Sequence, residues 1–158
     1  MSTLNTLFRE RIGIPVHEKI TFDSLGPILE KTAKTFPFEN LCIIGCNTGA
    51  ITKENLMNKM LVRNEGGLCY ELNSLLYFFL AESGFDVSLC RGVTYNNETQ
   101  DWTAIGRTHV TILLKHMENT YLIDTGFGGN LPLVPVPLTG ETVTSNNGEF
   151  RIKKEILF

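Results

Sequence analysis

Three side chains in this sequence could together perform nucleophilic chemistry. Cys69 follows the pair Gly66-Gly67 and opens an amphipathic stretch, His109 begins an alternating apolar run, and Asp124 ends another. A cysteine nucleophile needs a base within hydrogen-bond reach, and the base needs a group that orients it. The glycine pair before Cys69 and the helical pattern after it put the thiol at or near a helix N-terminus. There, unpaired N–H groups and the positive end of the helix dipole favour a thiolate. The glycines allow backbone conformations, and close approach by a substrate, that a side chain would block. Taken alone, Cys69 would read as a small buried hydrophobe, as most free cysteines are.

Of the three histidines, His17 lies in a loop beside Pro15, His116 falls in a turn region with Lys115 and Glu118, and His109 starts a strand. Asp124 favours His109. Residues 108–114 and 120–124 read as two strands joined by a short polar stretch, which suggests a hairpin. A turn centred between His116 and Met117 would put His109 directly opposite Asp124. A turn at Met117-Glu118 would make them diagonal neighbours on the same face, roughly 7–8 Å apart at the backbone. An odd-length loop or a bulge would break the pairing. After Asp124, the run Thr125-Gly126-Phe127-Gly128-Gly129 leaves backbone N–H groups open to an anion such as a phosphate. It is neither a Walker loop nor a dinucleotide fingerprint, since no Gly-Lys-Ser/Thr and no helix follow. A sharp chain reversal is its alternative reading.

The elements that must hold these residues fall into two halves. Leu4, Leu7 and Phe8 follow helical spacing up to Gly13 and Pro15, and Leu25, Ile28, Leu29 and Phe36 repeat it up to Pro37. Thr52 suits the N-cap of a third helix carrying Leu56, Met60 and Leu61. A fourth helix after Gly66-Gly67 faces Leu72, Leu75, Leu76, Phe79 and Leu80 inward and stops at Gly84. Beyond Gly84 the period changes to two. Phe85, Val87 and Leu89 alternate with polar residues, Val110, Ile112 and Leu114 do likewise, and residues 121–124 form a short run. Residues 131–138 hold three prolines, which makes them an extended connector rather than a central strand. Asn146-Asn147-Gly148 marks a hairpin turn between residues 141–144 and 150–153. The class is α+β, with residues 1–84 as a helical domain carrying the nucleophile and residues 85–158 as a strand-built domain.

Composition limits the function classes. The chain has 158 residues, 42% hydrophobic and 20% charged, with a net charge of −3 and no run of either sign. That suits a globular protein with a sizeable core and argues against a nucleic-acid binder, which needs a basic face. No apolar run approaches membrane-spanning length, and the start has no signal-peptide pattern, so no membrane partner is expected and the protein reads as cytoplasmic. In that compartment disulfides are disfavoured. Cys42 and Cys46 have no second pair at metal spacing, so no metal is expected, and Cys42, Cys46 and Cys90 read as structural thiols.

Several segments together resemble the arylamine N-acetyltransferase family. They are Phe38-Glu39-Asn40, residues 66–73 (Gly-Gly-Leu-Cys-Tyr-Glu-Leu-Asn), Thr108-His109-Val110, residues 124–129, and Pro135-Val136-Pro137-Leu138. They occur in the family's order across most of the chain. The resemblance implies a Cys69–His109–Asp124 triad and a helical domain followed by an antiparallel β-barrel-like domain, a cysteine-protease-like core. It also implies ping-pong chemistry, in which Cys69 takes an acetyl group from acetyl-coenzyme A and passes it to an arylamine, hydrazine or N-hydroxyarylamine, as in xenobiotic metabolism. Phe38 and Phe127 would line the acceptor pocket, and Thr125, Gly126, Phe127, Gly128 and Gly129 would approach the coenzyme.

There are two departures from the pattern. Glu65 stands where the family has an arginine before the glycine pair, with Arg63 two residues earlier. A carboxylate near the thiol opposes a thiolate unless a cation such as Arg63 pairs with it. The family also continues into a third α/β domain, a lid over the coenzyme cleft. Here the chain stops at Phe158, so an incomplete barrel with open edges, self-association and weakened coenzyme binding are expected. Two other functions compete: a Cys-His-Asp thiol hydrolase, and a silent family member with a binding role.

Overall fold

The structure is a computed structural model, described over residues 3–154. Five helices come first: α1 (Thr3–Ile12), α2 (Leu25–Thr35), the single turn α3 (Leu41–Ile44), α4 (Lys53–Leu56) and α5 (Cys69–Glu82). The signals that start and stop them act as expected. Thr52 Oγ1 accepts from the Asn55 N–H at 3.2 Å and caps α4. Phe36 leaves the helical region at φ −103°, ψ 112°, as the residue before Pro37 must. Gly84 follows α5 with φ +91°, the left-handed stop that glycine adopts at little steric cost. Two elements depart from the sequence reading. The turn α3 was not anticipated, because its Leu41 and Ile44 are exposed and leave no buried face to read. The third helix changes to a π-helical turn over Met57–Val62, which buries three consecutive residues, Lys59, Met60 and Leu61, instead of following a 3.6-residue period.

The strands are β1 (Asp86–Gly92), β2 (Tyr95–Asn96), β3 (Asp101–Trp102), β4 (His109–His116), β5 (Asn119–Ile123), β6 (Val136–Pro137), β7 (Val143–Ser145) and β8 (Gly148–Phe150). An antiparallel sheet takes the order β1-β4-β5-β6, and β2–β3 and β7–β8 form separate two-stranded ribbons. Among the described residues the strands do not close into a barrel. β1 is an edge, and at the other side β6 pairs only Leu122 with Val136 and Tyr121 with Pro137. Proline has no N–H to extend the ladder, so the proline-rich connector supplies a short edge strand. The last hairpin is tighter than expected: its strands end at Ser145 and resume at Gly148. Pairing of His116 with Asn119 makes the β4–β5 turn Met117-Glu118, with Met117 at φ +52°. His116 is therefore a strand residue, and its ring stacks on Phe22 at 4.2 Å.

One hydrophobic cluster joins the helices to the sheet. Phe8 stacks on Phe79 at 4.2 Å and on Phe36 at 5.6 Å. Leu72, Leu75, Leu76, Phe79 and Leu80 of α5 share the cluster with Ile112, Leu114 and Ile123 of β4 and β5. This packing presses α5 onto the sheet and fixes the position of its first residue, Cys69. Among the described residues no helix is long and apolar enough to cross a membrane. Replacing Phe79, which is fully buried, with alanine should destabilise the chain by about 3–5 kcal/mol, measured by urea unfolding.

Candidate active site

Cys69 is the first residue of α5, and a short backbone pairing places it. Gly67 N–H donates to Pro37 O at 3.1 Å, and Glu39 N–H donates to Gly67 O at 3.1 Å. A β-carbon on Gly66 would lie 2.1 Å from the Pro37 carbonyl oxygen, and one on Gly67 would lie 2.8 Å from Glu71 Oε2 and Met60 Cε. The glycines are therefore required by contact with neighbouring protein atoms. Neither is among the residues at positive φ, so a special backbone conformation is not what demands them. Glu71 reaches back to the Leu68 N–H at 3.1 Å, satisfying one of the open donors of the first turn. Its other oxygen accepts from Lys59 Nζ at 2.6 Å, in a pair whose side chains are about one-tenth exposed. Glu65, the departure from the family pattern, is paired: Arg63 donates to both of its oxygens, at 2.6 and 3.1 Å. That hydrogen-bonded guanidinium holds the Glu65 carboxyl below its ordinary range, so its charge is met locally.

His109 and Asp124 are diagonal neighbours on one face of the β4–β5 pair, as the turn at Met117-Glu118 requires. His109 Nε2 lies 2.5 Å from Asp124 Oδ2, which leaves Nδ1 for the Cys69 thiol. Burial alone would push the thiol up. A hydrogen bond with His109, with further ones from backbone N–H groups of Val110 and Tyr70, outweighs burial and holds the thiol below its ordinary value. Burial alone would also lower His109, but its bonds to Asp124 and Cys69 prevail and raise it to about 9. Both shifts favour a thiolate–imidazolium pair. Cys69 Sγ also lies 3.4 Å from Thr108 O.

Asn73, which the sequence reading did not single out, organises this site. It is fully buried. Its Nδ2 donates to Val110 O at 2.7 Å and to Asp124 Oδ1 at 3.0 Å. Its Oδ1 accepts from Thr125 N–H at 3.0 Å and lies 3.3 Å from Thr125 Oγ1. The signal was a polar residue three and seven positions before Leu76 and Leu80, on the inward stripe of the helix.

The loop after Asp124 packs against the first turn of α5, where a β-carbon on Gly126 would lie 2.9 Å from Cys69 Cα. The expectation of a loop with open N–H groups needs correction. Gly126 N–H donates to Asp124 Oδ1 at 2.9 Å, and Thr125 N–H is committed to Asn73. Two of the five expected contact residues thus serve the buried carboxylate and its support. Gly128, at φ +89°, passes beside the Phe38 ring. Phe127 meets the His109 ring edge-on at 5.2 Å. Phe38 and Phe127 are about half exposed. His17 is exposed and lies outside the site. All four cysteines are free. Of the three cysteines read as structural, Cys46 is exposed and Cys42 and Cys90 are half-buried. Among the described residues no cluster of His, Cys, Asp and Glu could hold a metal.

Residues 21–156 match a family described as N-acetyltransferase. The chain is 46% identical over 138 residues to an uncharacterized acetyltransferase of Bacillus subtilis, covering 87% of this chain and 54% of that protein. It is 36% identical over 151 residues to probable arylamine N-acetyltransferase 3 of Dictyostelium discoideum, covering 93% and 49%. Among solved structures it is similar to an arylamine N-acetyltransferase of Bacillus cereus, with 44% identity, a TM-score of 0.95 and coverage of 99% and 62%. That protein has a Cys-His-Glu catalytic triad. The arylamine N-acetyltransferase of Mycobacterium marinum in complex with CoA is similar at 28% identity and a TM-score of 0.80, with coverage of 95% and 56%. The chain spans about half the length of the curated relatives it matches.

Two outcomes test this geometry. Alkylation of Cys69 by iodoacetamide should stay fast at pH values below about 8.5, where an ordinary thiol loses its thiolate. The ion pair should persist up to about 9 and be lost above it as His109 deprotonates. Peptide-resolved alkylation rates against pH check this. Replacing Asn73 with alanine removes the side-chain donor to Val110 O and the acceptor for Thr125 N–H, and leaves Asp124 Oδ1 with the Gly126 N–H alone. It should destabilise the fold by about 1–3 kcal/mol for each group left unsatisfied, read by urea unfolding, and should shift the Cys69 titration upward.

Proposed function

This chain belongs to the arylamine N-acetyltransferase family, and on that premise we propose that it moves an acetyl group from acetyl-coenzyme A to an arylamine, hydrazine or N-hydroxyarylamine through a thioester on Cys69. The observation that carries this reading is the 2.5 Å contact of His109 Nε2 with Asp124 Oδ2, with the other ring nitrogen left for the thiol at the head of α5. In the first half-reaction the Cys69 thiolate attacks the thioester carbonyl. His109 donates its proton to the departing coenzyme thiolate. In the second, the amine attacks acetyl-Cys69, His109 takes the amine's proton, and Cys69 leaves as thiolate. Asp124 stabilises the imidazolium in both halves, and N–H groups at the first turn of α5 face the oxyanion.

Phe38 and Phe127 are the proposed walls for an aromatic acceptor, since both are half exposed, Phe127 meets the His109 ring and Phe38 lies beside Gly128 of the same loop. Phe127, Gly128 and Gly129 are the proposed contacts for the coenzyme, Thr125 and Gly126 being engaged with Asn73 and Asp124. The free thiols support a cytoplasmic setting. A second reading, a silent chain that binds a partner, is favoured by β1, which among the described residues is a sheet edge.

Incubation with acetyl-coenzyme A followed by peptide mass spectrometry separates the two. An acetyl adduct on Cys69 that discharges onto an arylamine is expected. Its absence at saturating donor, in protein with intact circular dichroism, overturns the acetyltransferase reading. Cys69→Ser should abolish transfer and leave the unfolding midpoint nearly unchanged.

A further inference from the structure

A second sulfur–nitrogen contact lies outside the triad. Lys59 Nζ sits 2.8 Å from Cys42 Sγ, joining the π-helical turn to α3. The lysine side chain is nearly buried, and Glu71 Oε1 holds its ammonium from the other side at 2.6 Å. The amine is therefore aimed at the sulfur by a fixed partner. Cys42 is half-buried and shares a cavity with Asn47, Thr48, Asn55, Lys59 and Arg63. This cavity gives a small polar oxidant access to the sulfur and the nitrogen together. Cys46, four residues on, is exposed and has no such arrangement among the contacts of Lys59, so it serves as an internal reference.

We propose that Cys42 and Lys59 form a reversible covalent N–O–S bridge under peroxide, a redox modification site separate from the triad. The atoms balance with two molecules of hydrogen peroxide. The first oxidises the Cys42 thiol by two electrons to a sulfenic acid, its O–O bond breaking and one oxygen leaving as water. The Lys59 ammonium passes a proton to the Glu71 carboxylate. The second peroxide oxidises the freed amine by two electrons to a hydroxylamine and also leaves a water. Condensation of hydroxylamine and sulfenic acid forms the bridge and releases a third water. One inserted oxygen spans the 2.8 Å separation with little movement, whereas a direct S–N bond requires the two atoms to close further. The bridge nitrogen carries no charge, so Glu71 loses the cation that faces it, two residues from Cys69. Two molecules of dithiothreitol supply the four electrons that break the S–O and N–O bonds, releasing the oxygen as water, leaving two cyclic disulfides and restoring the Cys42 thiol and the Lys59 amine.

The test is treatment of the full chain with hydrogen peroxide, quenching, and peptide mapping without reductant. A linked peptide joining the Cys42 and Lys59 fragments is expected, heavier than their sum by one oxygen less two hydrogens. It should be lost on adding dithiothreitol and absent in Cys42→Ser, whose folding is checked by circular dichroism. Peroxide oxidation of Cys69 maps to a different peptide. A link lacking the oxygen, a link through Cys46, or oxidation of Cys42 to sulfenic or sulfinic acid with no link would each overturn the proposal.

Discussion

A carboxylate buried between a helix and a hairpin is the constraint on which the site depends. Asp124 is 7% exposed, and an ionised group there must be paired and hydrogen-bonded or be neutralised. Its two oxygens are met by His109, Asn73 and the Gly126 N–H. Those three donors come from β4, from α5 and from the loop after β5, so the charge is satisfied only if all three segments are docked. The apolar stripe of α5 on Ile112, Leu114 and Ile123 provides that docking. It also sets the thiol at the head of the helix beside the imidazole. Packing and electrostatics therefore act on the same helix: one face holds the core together, and its first turn holds the chemistry.

The first turn has its own supports. The pairing of residues 37–39 with Gly67 fixes the chain just before Cys69. Glu71 ties the helix start to Lys59 in the π-helical turn. A buried ion pair adds little net stability, yet removing one partner is costly, which makes it a positional device more than a source of stability. The Arg63–Glu65 pair, at the surface, contributes little energy. It does neutralise the carboxylate that replaces an arginine of the family pattern. A related chain from Bacillus cereus carries a glutamate as the third member of its triad. Here an aspartate meets the imidazole at 2.5 Å, on strands whose register is set by the two-residue turn at Met117-Glu118.

Much of this was legible in the sequence. The apolar periods of α1, α2 and α5 are strong because those helices bury one face against a common core. Thr52, Pro37 and Gly84 act as boundary signals through local backbone chemistry that does not depend on distant contacts. The pairing of His109 with Asp124 followed from either of two turn positions, since alternation in a hairpin fixes the face and the turn fixes the offset, but an odd-length loop or a bulge would have broken it. Less legible were α3, which buries no apolar face, and the π-helical turn, whose consecutive buried residues match no regular period. Asn73 was visible as the last residue of the 66–73 segment and as a polar residue on an inward stripe, with no indication of what it would bond.

The sequence by itself determined the helix-then-strand order, the candidate nucleophile, base and acid, and the family they resemble, because these rest on local periodicity and on residue types in a fixed order. Only the tertiary structure decided which register the hairpin takes, that Gly66 and Gly126 are small because other atoms lie where a β-carbon would be, and that the Thr125 and Gly126 amides serve the protein's own buried groups. It also decided that the strands form an open sheet and that Lys59 bridges Glu71 and Cys42. The physical reason is common to all of these. Each depends on atoms distant in sequence meeting across a packed interface, and such contacts leave no periodic trace in the chain.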